Sequence, residues 1–321
     1  MYDLIIVGAG PIGLACAIEA KRQNLNYIVL EKGTLVDSIF NYPLNMVFFS
    51  TSERLEIGDV PFISHGMKPT RTEALEYYRR VKTSHSLEVN LYKEVTSVEK
   101  QDGAFNVFTS KNEYKAKNVV IATGFFMYPN LMGVPGEELP KVFHYYKEPH
   151  PFNEQKILVV GGGNSGVDVA LETYRRGAEV TMVIRSDKID DGVKYWVRPD
   201  IENRINEGSI TAYFNSEVLE ITPDTVIVQT PEGIVTIEND FVLAMTGYKP
   251  DYNLLEKSGI ALTGGEKKIP HHDENTFETN ISGLYLAGVV CGGMDTGKWF
   301  IENSRYHAKN IVGNIKSKTR K

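Results

Sequence analysis

Residues 3–13 read DLIIVGAGPIG and residues 156–166 read KILVVGGGNSG. Each is a short apolar run ending in a glycine cluster, Gly8-x-Gly10-x-x-Gly13 in the first and Gly161-x-Gly163-x-x-Gly166 in the second. Apolar runs of this length closed by glycine suit parallel strands buried on both faces. The first is followed by the helical periodicity of AIEAKRQ and the strand-like YIVLEK, the second by a helix through VALETYRRG and the strand EVTMVIR. Both therefore read as βαβ units of about thirty residues. In such a unit the first glycine permits a tight turn, the second lets backbone approach a pyrophosphate, and the third allows close helix-to-strand packing.

The two units differ where the second strand ends. Glu31 closes the first, placed to accept hydrogen bonds from a ribose while the helix N-terminus meets the phosphates. In the second, Val183-Ile184-Arg185-Ser186 carries no carboxylate. A carboxylate there would repel a 2′-phosphate, whereas Arg185 can pair with one, which favours NADPH over NADH. The plainer alternative for Arg185 is a solvated strand-end arginine. Asn164 and Ser165 open the second helix and read as possible caps or phosphate contacts. Two dinucleotide sites in one chain imply two cofactors, most economically FAD in the first unit and NADPH in the second. The cofactors then carry the chemistry and no conventional acid or base is required.

The chain has 321 residues, enough for two domains. Its 35 basic and 41 acidic residues give a net charge of −6, so no basic field for nucleic acid is expected. Lys316, Lys318, Arg320 and Lys321 read as a solvated tail. Cys16 and Cys291 form neither a C-x-x-C pair nor a spacing with His suited to a metal. This excludes a disulfide scaffold, a zinc site of the usual kind and an internal redox dithiol. With no apolar run near the ~18 residues of a membrane span and no basic, cleavable leader, the expectation is a cytoplasmic protein. Hairpin-like segments with Asp102-Gly103, Pro223-Asp224 and Glu232-Gly233 turns separate the units, and each is followed by a buried strand closed by Thr-Gly, at 123–124 and 246–247. The fold class is α/β, with two Rossmann-like domains, each a parallel sheet with helices plus a small antiparallel element.

The two fingerprints, the Ala122-Thr123-Gly124 turn and Gly283-Leu-Tyr-Leu-Ala-Gly288 before a last helix resemble the low-molecular-weight thioredoxin-reductase-like flavoproteins over essentially the whole chain. More specific are the stretches from Asn41-Tyr-Pro43 through Phe48-Phe-Ser50 to Ile57-Gly-Asp59-Val-Pro-Phe62. Together with LPKVFHYYKEPHP at 139–151, GYKPDY at 247–252 and FIEN at 300–303, they are similar to the bacillithiol disulfide reductases. The resemblance implies a discontinuous FAD domain, 1–124 and 248–321, around an NADPH domain, 125–247. It places the FAD pyrophosphate on Gly8, Gly10 and Gly13, its ribose on Glu31 with Lys32 beside it, its adenine against Val95, and the flavin near Gly124 and Gly288. NADPH phosphates would meet Gly161, Gly163, Asn164, Ser165 and Gly166.

The departures matter as much. The thioredoxin-reductase dithiol is absent, Val289 replaces the acid usual after the late Ala-Gly, and Ile12 stands where bacillithiol disulfide reductases keep a cysteine in the first glycine loop. Cys16, one helical turn beyond Ile12, and Cys291 are the candidate thiols, each equally readable as a small core residue. The expected activity is NADPH-dependent reduction of a low-molecular-weight disulfide, with a homodimer expected by analogy. Alternatives are a ferredoxin- or flavodoxin-type NADPH reductase, a flavin monooxygenase, for which the F-x-G-x-x-x-H stretch is missing at Phe143-His144, and a non-catalytic redox sensor. His271-His272 read as an exposed loop and not as a metal pair. Tyr145, Tyr146, Trp299 and Phe300 read either as core or as a flavin wall, with Trp299 and Phe300 beginning the final helix.

Overall fold

A computed structural model describes residues 1–319, and the chain divides into two units, Met1–Tyr128 with Tyr248 onward, and Pro129–Gly247. The first is built on a mixed sheet. Val89–Asn90, Tyr27–Leu30, Tyr2–Val7 and Glu113–Ile121 lie side by side, each parallel to its neighbour. The strand Glu113–Ile121 is used twice along its length. Its first half, EYKA, pairs antiparallel with Ala104–Thr109, and its last residues, VVI, pair parallel with Leu284–Leu286. The sequence shows why: the polar half keeps one face in water, whereas Val119, Val120 and Ile121 are fully buried among strands covered on both sides.

The hairpin of Val95–Gln101 and Ala104–Thr109 turns on Asp102 and Gly103, at φ +51° and +80°. Two successive positive φ angles match the right-handed twist of the strands, and Asp-Gly supplies them cheaply. The helix Pro11–Arg22 covers the sheet with Leu14, Cys16, Ala17, Ile18 and Ala20 buried. A small-residue face of this kind lets the helix axis lie close to the strands.

The second unit repeats the plan. Thr211–Tyr213, Glu179–Val183, Lys156–Val160, Phe241–Ala244 and Val142–Phe143 form an all-parallel sheet in that order. The helix Asn164–Tyr174 packs Val167, Val169, Ala170 and Leu171 into the core. An antiparallel ribbon of Glu217–Ile221, Thr225–Thr230 and Gly233–Glu238 follows, bulged near Leu219.

Three sequence expectations change. The chain leaves the first unit at Tyr128 and not at Gly124, because Phe125–Tyr128 still belong to that unit's cavity wall. Trp299 and Phe300 do not begin the final helix: a single turn, Ile301–Ser304, intervenes before His307–Thr319. Lys316 and Lys318 are helical rather than a tail, with Lys318 ion-paired to Glu278. The expectation for Arg320 and Lys321 lies outside the described residues. Among the described residues no helix is long and apolar enough to cross a membrane.

Candidate functional site: two glycine cradles and a cavity

Both fingerprints build the same cradle. An added Cβ on Gly8 would lie 2.6 Å from the Ala122 carbonyl oxygen, and one on Gly161 would lie 2.5 Å from that of Met245. Cβ atoms on Gly13 and Gly166 would lie 1.9 and 2.1 Å from the carbonyl oxygens of Gly8 and Gly161. The first and third glycines thus lock helix, turn and strand together. The middle glycines, Gly10 and Gly163, have nothing within 4 Å. Their open sides are where a pyrophosphate can approach backbone.

Each of these glycines is also the N-cap of its helix, and neither helix has a side-chain cap. Contrast Arg71–Ser84, closed by a full capping box from Thr70 and Glu73. An uncapped N-terminus leaves N–H groups and partial positive charge for an anion.

In the first unit the cradle opens onto a cavity of about 790 Å³ lined by Gly8, Gly10, Pro11, Ile12, Glu31, Gly124 and Gly288, among others. It adjoins a lobe of about 510 Å³ that adds Val95, Glu94 and Tyr128 and shares Glu31, Lys32, Thr123 and Gly124. Eight sequence-chosen residues, Gly8, Gly10, Ile12, Glu31, Lys32, Val95, Gly124 and Gly288, therefore line one continuous wall. Gly13 does not line it and acts through packing.

Glu31 is buried, and its two oxygens accept the Ala9 and Gly33 N–H groups at 2.6 and 3.0 Å. Burial raises its pKa above the ordinary value, opposed by those two hydrogen bonds. Each oxygen retains a lone pair for a ribose hydroxyl. Lys32 has its ammonium 5.0 Å from the Tyr128 ring centre. Thr123 Oγ1 is buried with no hydrogen-bond partner among the described residues, on the wall of both lobes. The open glycine cradle and this orphaned hydroxyl fit a bound dinucleotide.

Sequence reading missed Asp37, Ser38, Tyr42, Met127 and Ser304, all on the wall. A weak signal existed for the first two, since the polar pair Asp37-Ser38 follows Glu31 closely, at the start of the one-turn helix Asp37–Phe40. Val289, at the position where thioredoxin-reductase-like flavoproteins usually carry an acid, is on the wall as well, and its Cγ2 lies 3.9 Å from a Cβ added to Gly124.

Both thiols are closed off. Cys16 and Cys291 are 0% and 1% exposed, and neither lines the cavity. Burial pushes the Cys16 thiol up to about 12 and raises Cys291 as well, so neither forms a thiolate near neutrality. Tyr146 is core in the second unit, and Trp299 packs against Phe277 and His307 without lining the cavity. His272 turns Nδ1 to the Pro270 carbonyl oxygen at 2.7 Å.

In the second unit Asn164 does not cap its helix. Its amide donates to the Gly192 carbonyl at 2.9 Å and accepts the Lys194 N–H at 2.9 Å, tying the loop 190–194 to the fingerprint. Ser165 is exposed. Lys188 is engaged by Asp191 at 2.7 Å, whereas Arg185 is exposed and forms no ion pair among the described residues. Arg185 is thus the guanidinium left over at the end of the second strand.

Two dinucleotide cradles on parallel sheets, one opening on a large cavity, define an FAD- and NADPH-using oxidoreductase. The chain belongs to the pyridine nucleotide-disulphide oxidoreductase family, which matches residues 5–288. It is 44% identical, over 97% of its length and 96% of the relative's, to the bacilliredoxin reductase Bdr of Bacillus subtilis (strain 168). Among solved structures it is similar to the bacillithiol disulfide reductases Bdr (YpdA) of Bacillus cereus, with TM-score 0.97, 43% identity and 99% of each chain covered, and of Staphylococcus aureus, with TM-score 0.96, 42% identity and 98% of each.

Proposed function

We propose that this chain reduces a low-molecular-weight disulfide, bacillithiol disulfide, with NADPH: RSSR + NADPH + H⁺ → 2 RSH + NADP⁺. The observation that carries the reading is a dinucleotide cavity built on Gly8, Gly10 and Glu31 in a chain whose two thiols are buried away from it. The family and the names of its relatives supply the substrate class. Bound FAD supplies the hydride acceptor for NADPH and the electron pair for the disulfide.

The protein's own part is to hold and orient. Gly8, Gly10 and Gly13 shape the turn for the FAD pyrophosphate, Glu31 holds its ribose, and Val95 lies against its adenine. Gly161, Gly163, Asn164, Ser165 and Gly166 serve the NADPH phosphates, with Arg185 on the 2′-phosphate. Because no thiol reaches the cavity, the disulfide is reduced without a mixed disulfide on the chain. The protein works in the cytoplasm as a homodimer.

Anaerobic stopped-flow absorbance tests the activity. NADPH should bleach the flavin, and bacillithiol disulfide should restore its colour with two thiols released per NADPH. Flavin that stays reduced with the disulfide present, yet reoxidises with a ferredoxin, would replace this reading by that of a ferredoxin reductase. The name of the B. subtilis relative favours a second substrate, the disulfide of a bacilliredoxin protein, which the same assay tests in a separate arm.

A further inference from the structure

Gly288 is the first residue beyond the strand Leu284–Leu286 whose N–H has no sheet partner, since Ala287 still donates to the Ile121 carbonyl. It turns at φ +84°, and an added Cβ would meet the Ile12 side chain at 3.2 to 3.5 Å. Gly288 and Ile12 both line the cavity. The buried N–H at this turn needs an acceptor. His307, the first residue of the last helix and 0% exposed, provides one: Gly288 N donates to its Nδ1 at 3.2 Å.

That bond fixes the histidine's tautomer. An accepting Nδ1 leaves the ring proton on Nε2, which is buried and has no hydrogen-bond partner among the described residues. The ring is stacked on Phe277 at 3.8 Å and meets Trp299 edge-on at 4.6 Å. An apolar ring would fill this aromatic slot without an orphaned donor, so the polar residue is kept for the nitrogen facing Gly288. Cys291 Sγ lies 3.9 Å from the same nitrogen, an arrangement resembling a thiolate-generating pair. Here that nitrogen is already occupied, and burial holds the ring neutral, with its pKa lowered to about 3.

We propose that His307 is a positioning residue for the cofactor: by holding the Gly288 N–H it fixes the turn that Gly288 and Ile12 present to the bound flavin. The inference rests on the flavoprotein reading given above. His307→Phe keeps the stacking and removes the acceptor, whereas His307→Asn places a carbonyl oxygen where Nδ1 stood.

The holoenzyme and both variants are compared by FAD dissociation constant and by visible circular dichroism of the flavin band. The expected result is a rise of about tenfold in the dissociation constant and an altered flavin band in His307→Phe, with His307→Asn close to wild type. Wild-type affinity and spectrum in His307→Phe, or equal losses in both variants, would overturn the proposal. If His307→Phe does not fold, ¹⁵N-histidine NMR of the wild-type holoenzyme decides: a bare Nδ1 and protonated Nε2 support it, and the opposite tautomer or an imidazolium at neutral pH overturns it. A wild-type protein that takes up no flavin would instead strike the flavoprotein reading itself.

Discussion

Gly10 and Gly13 make the sharpest contrast at the scale of single residues. Gly13→Ala places a methyl 1.9 Å from the Gly8 carbonyl oxygen, so the helix must move away from the turn. We expect a loss of about 3 kcal/mol or more and a lower melting temperature even without cofactor. Gly10→Ala meets nothing within 4 Å. The apo-protein should melt as wild type does, while the purified variant carries little flavin, because the methyl occupies the phosphate's approach. Absorbance at the flavin band and thermal melting separate the two. Arg185→Ala should raise KM for NADPH by about tenfold or more and leave KM for NADH nearly unchanged, as loss of a charge-assisted contact to the 2′-phosphate requires. Equal effects on the two coenzymes in steady-state assays would return Arg185 to the role of a solvated arginine.

The same scale shows what a linear reading reaches. Glu31 was legible on the cavity wall because the Rossmann plan fixes where the second strand ends, whereas Lys32 and Val95, also on that wall, were implied only by the family resemblance. The fate of the cysteines was not legible. Cys16 follows Ile12 by one turn on the same helix face, yet Ile12, at the helix N-terminus, lines the cavity and Cys16 is buried in the core, a distinction of position along the axis that spacing alone leaves open. The cap alternative for Asn164 fails because its side-chain partners, Gly192 and Lys194, come from a distant loop.

At the scale of elements, the helix ends divide by task. Arg71–Ser84 is closed by the reciprocal bonds of Thr70 and Glu73, and Thr70→Ala should cost about 1 kcal/mol, read as a lower urea midpoint with unchanged flavin content. The last helix begins with His307, whose pKa is lowered from 6.5 to about 3 mainly by burial. Because the folded-state value is depressed, the unfolded chain takes up the proton first. This group's contribution is complete above pH 6.5 and is lost as pH falls through 6.5 toward 3. Between pH 7 and pH 5 wild type should therefore lose about 2 kcal/mol more than His307→Phe in urea unfolding. Parallel losses in the two proteins would contradict this placement of His307. The break between Ile301–Ser304 and His307–Thr319 left no mark in the sequence, since Ser-Arg-Tyr carries neither glycine nor proline.

On the scale of the whole molecule, one plan is used twice with different endings. The first copy ends its second strand in a buried carboxylate and opens on a cavity; the second ends it in an exposed guanidinium with no ion pair among the described residues. That difference is the ground on which the proposed function gives FAD to the first unit and NADPH to the second. The contrast between Glu31 and Arg185 themselves was readable in the sequence, because strand ends in this fold are fixed points. The extent of the first unit was less readable, for Phe125–Tyr128 look like a linker in sequence yet line its cavity.

In the function proposed above, electrons pass to a small disulfide without a thiol of the chain taking part. A variant lacking both cysteines, Cys16→Ala with Cys291→Ala, tests it most directly, reduced anaerobically with NADPH and mixed with bacillithiol disulfide in a stopped-flow spectrophotometer. Its flavin should be reoxidised within about twofold of the wild-type rate, with two thiols released per NADPH consumed. A variant that binds FAD and is reduced by NADPH, yet is not reoxidised by a disulfide that reoxidises wild type, would contradict it.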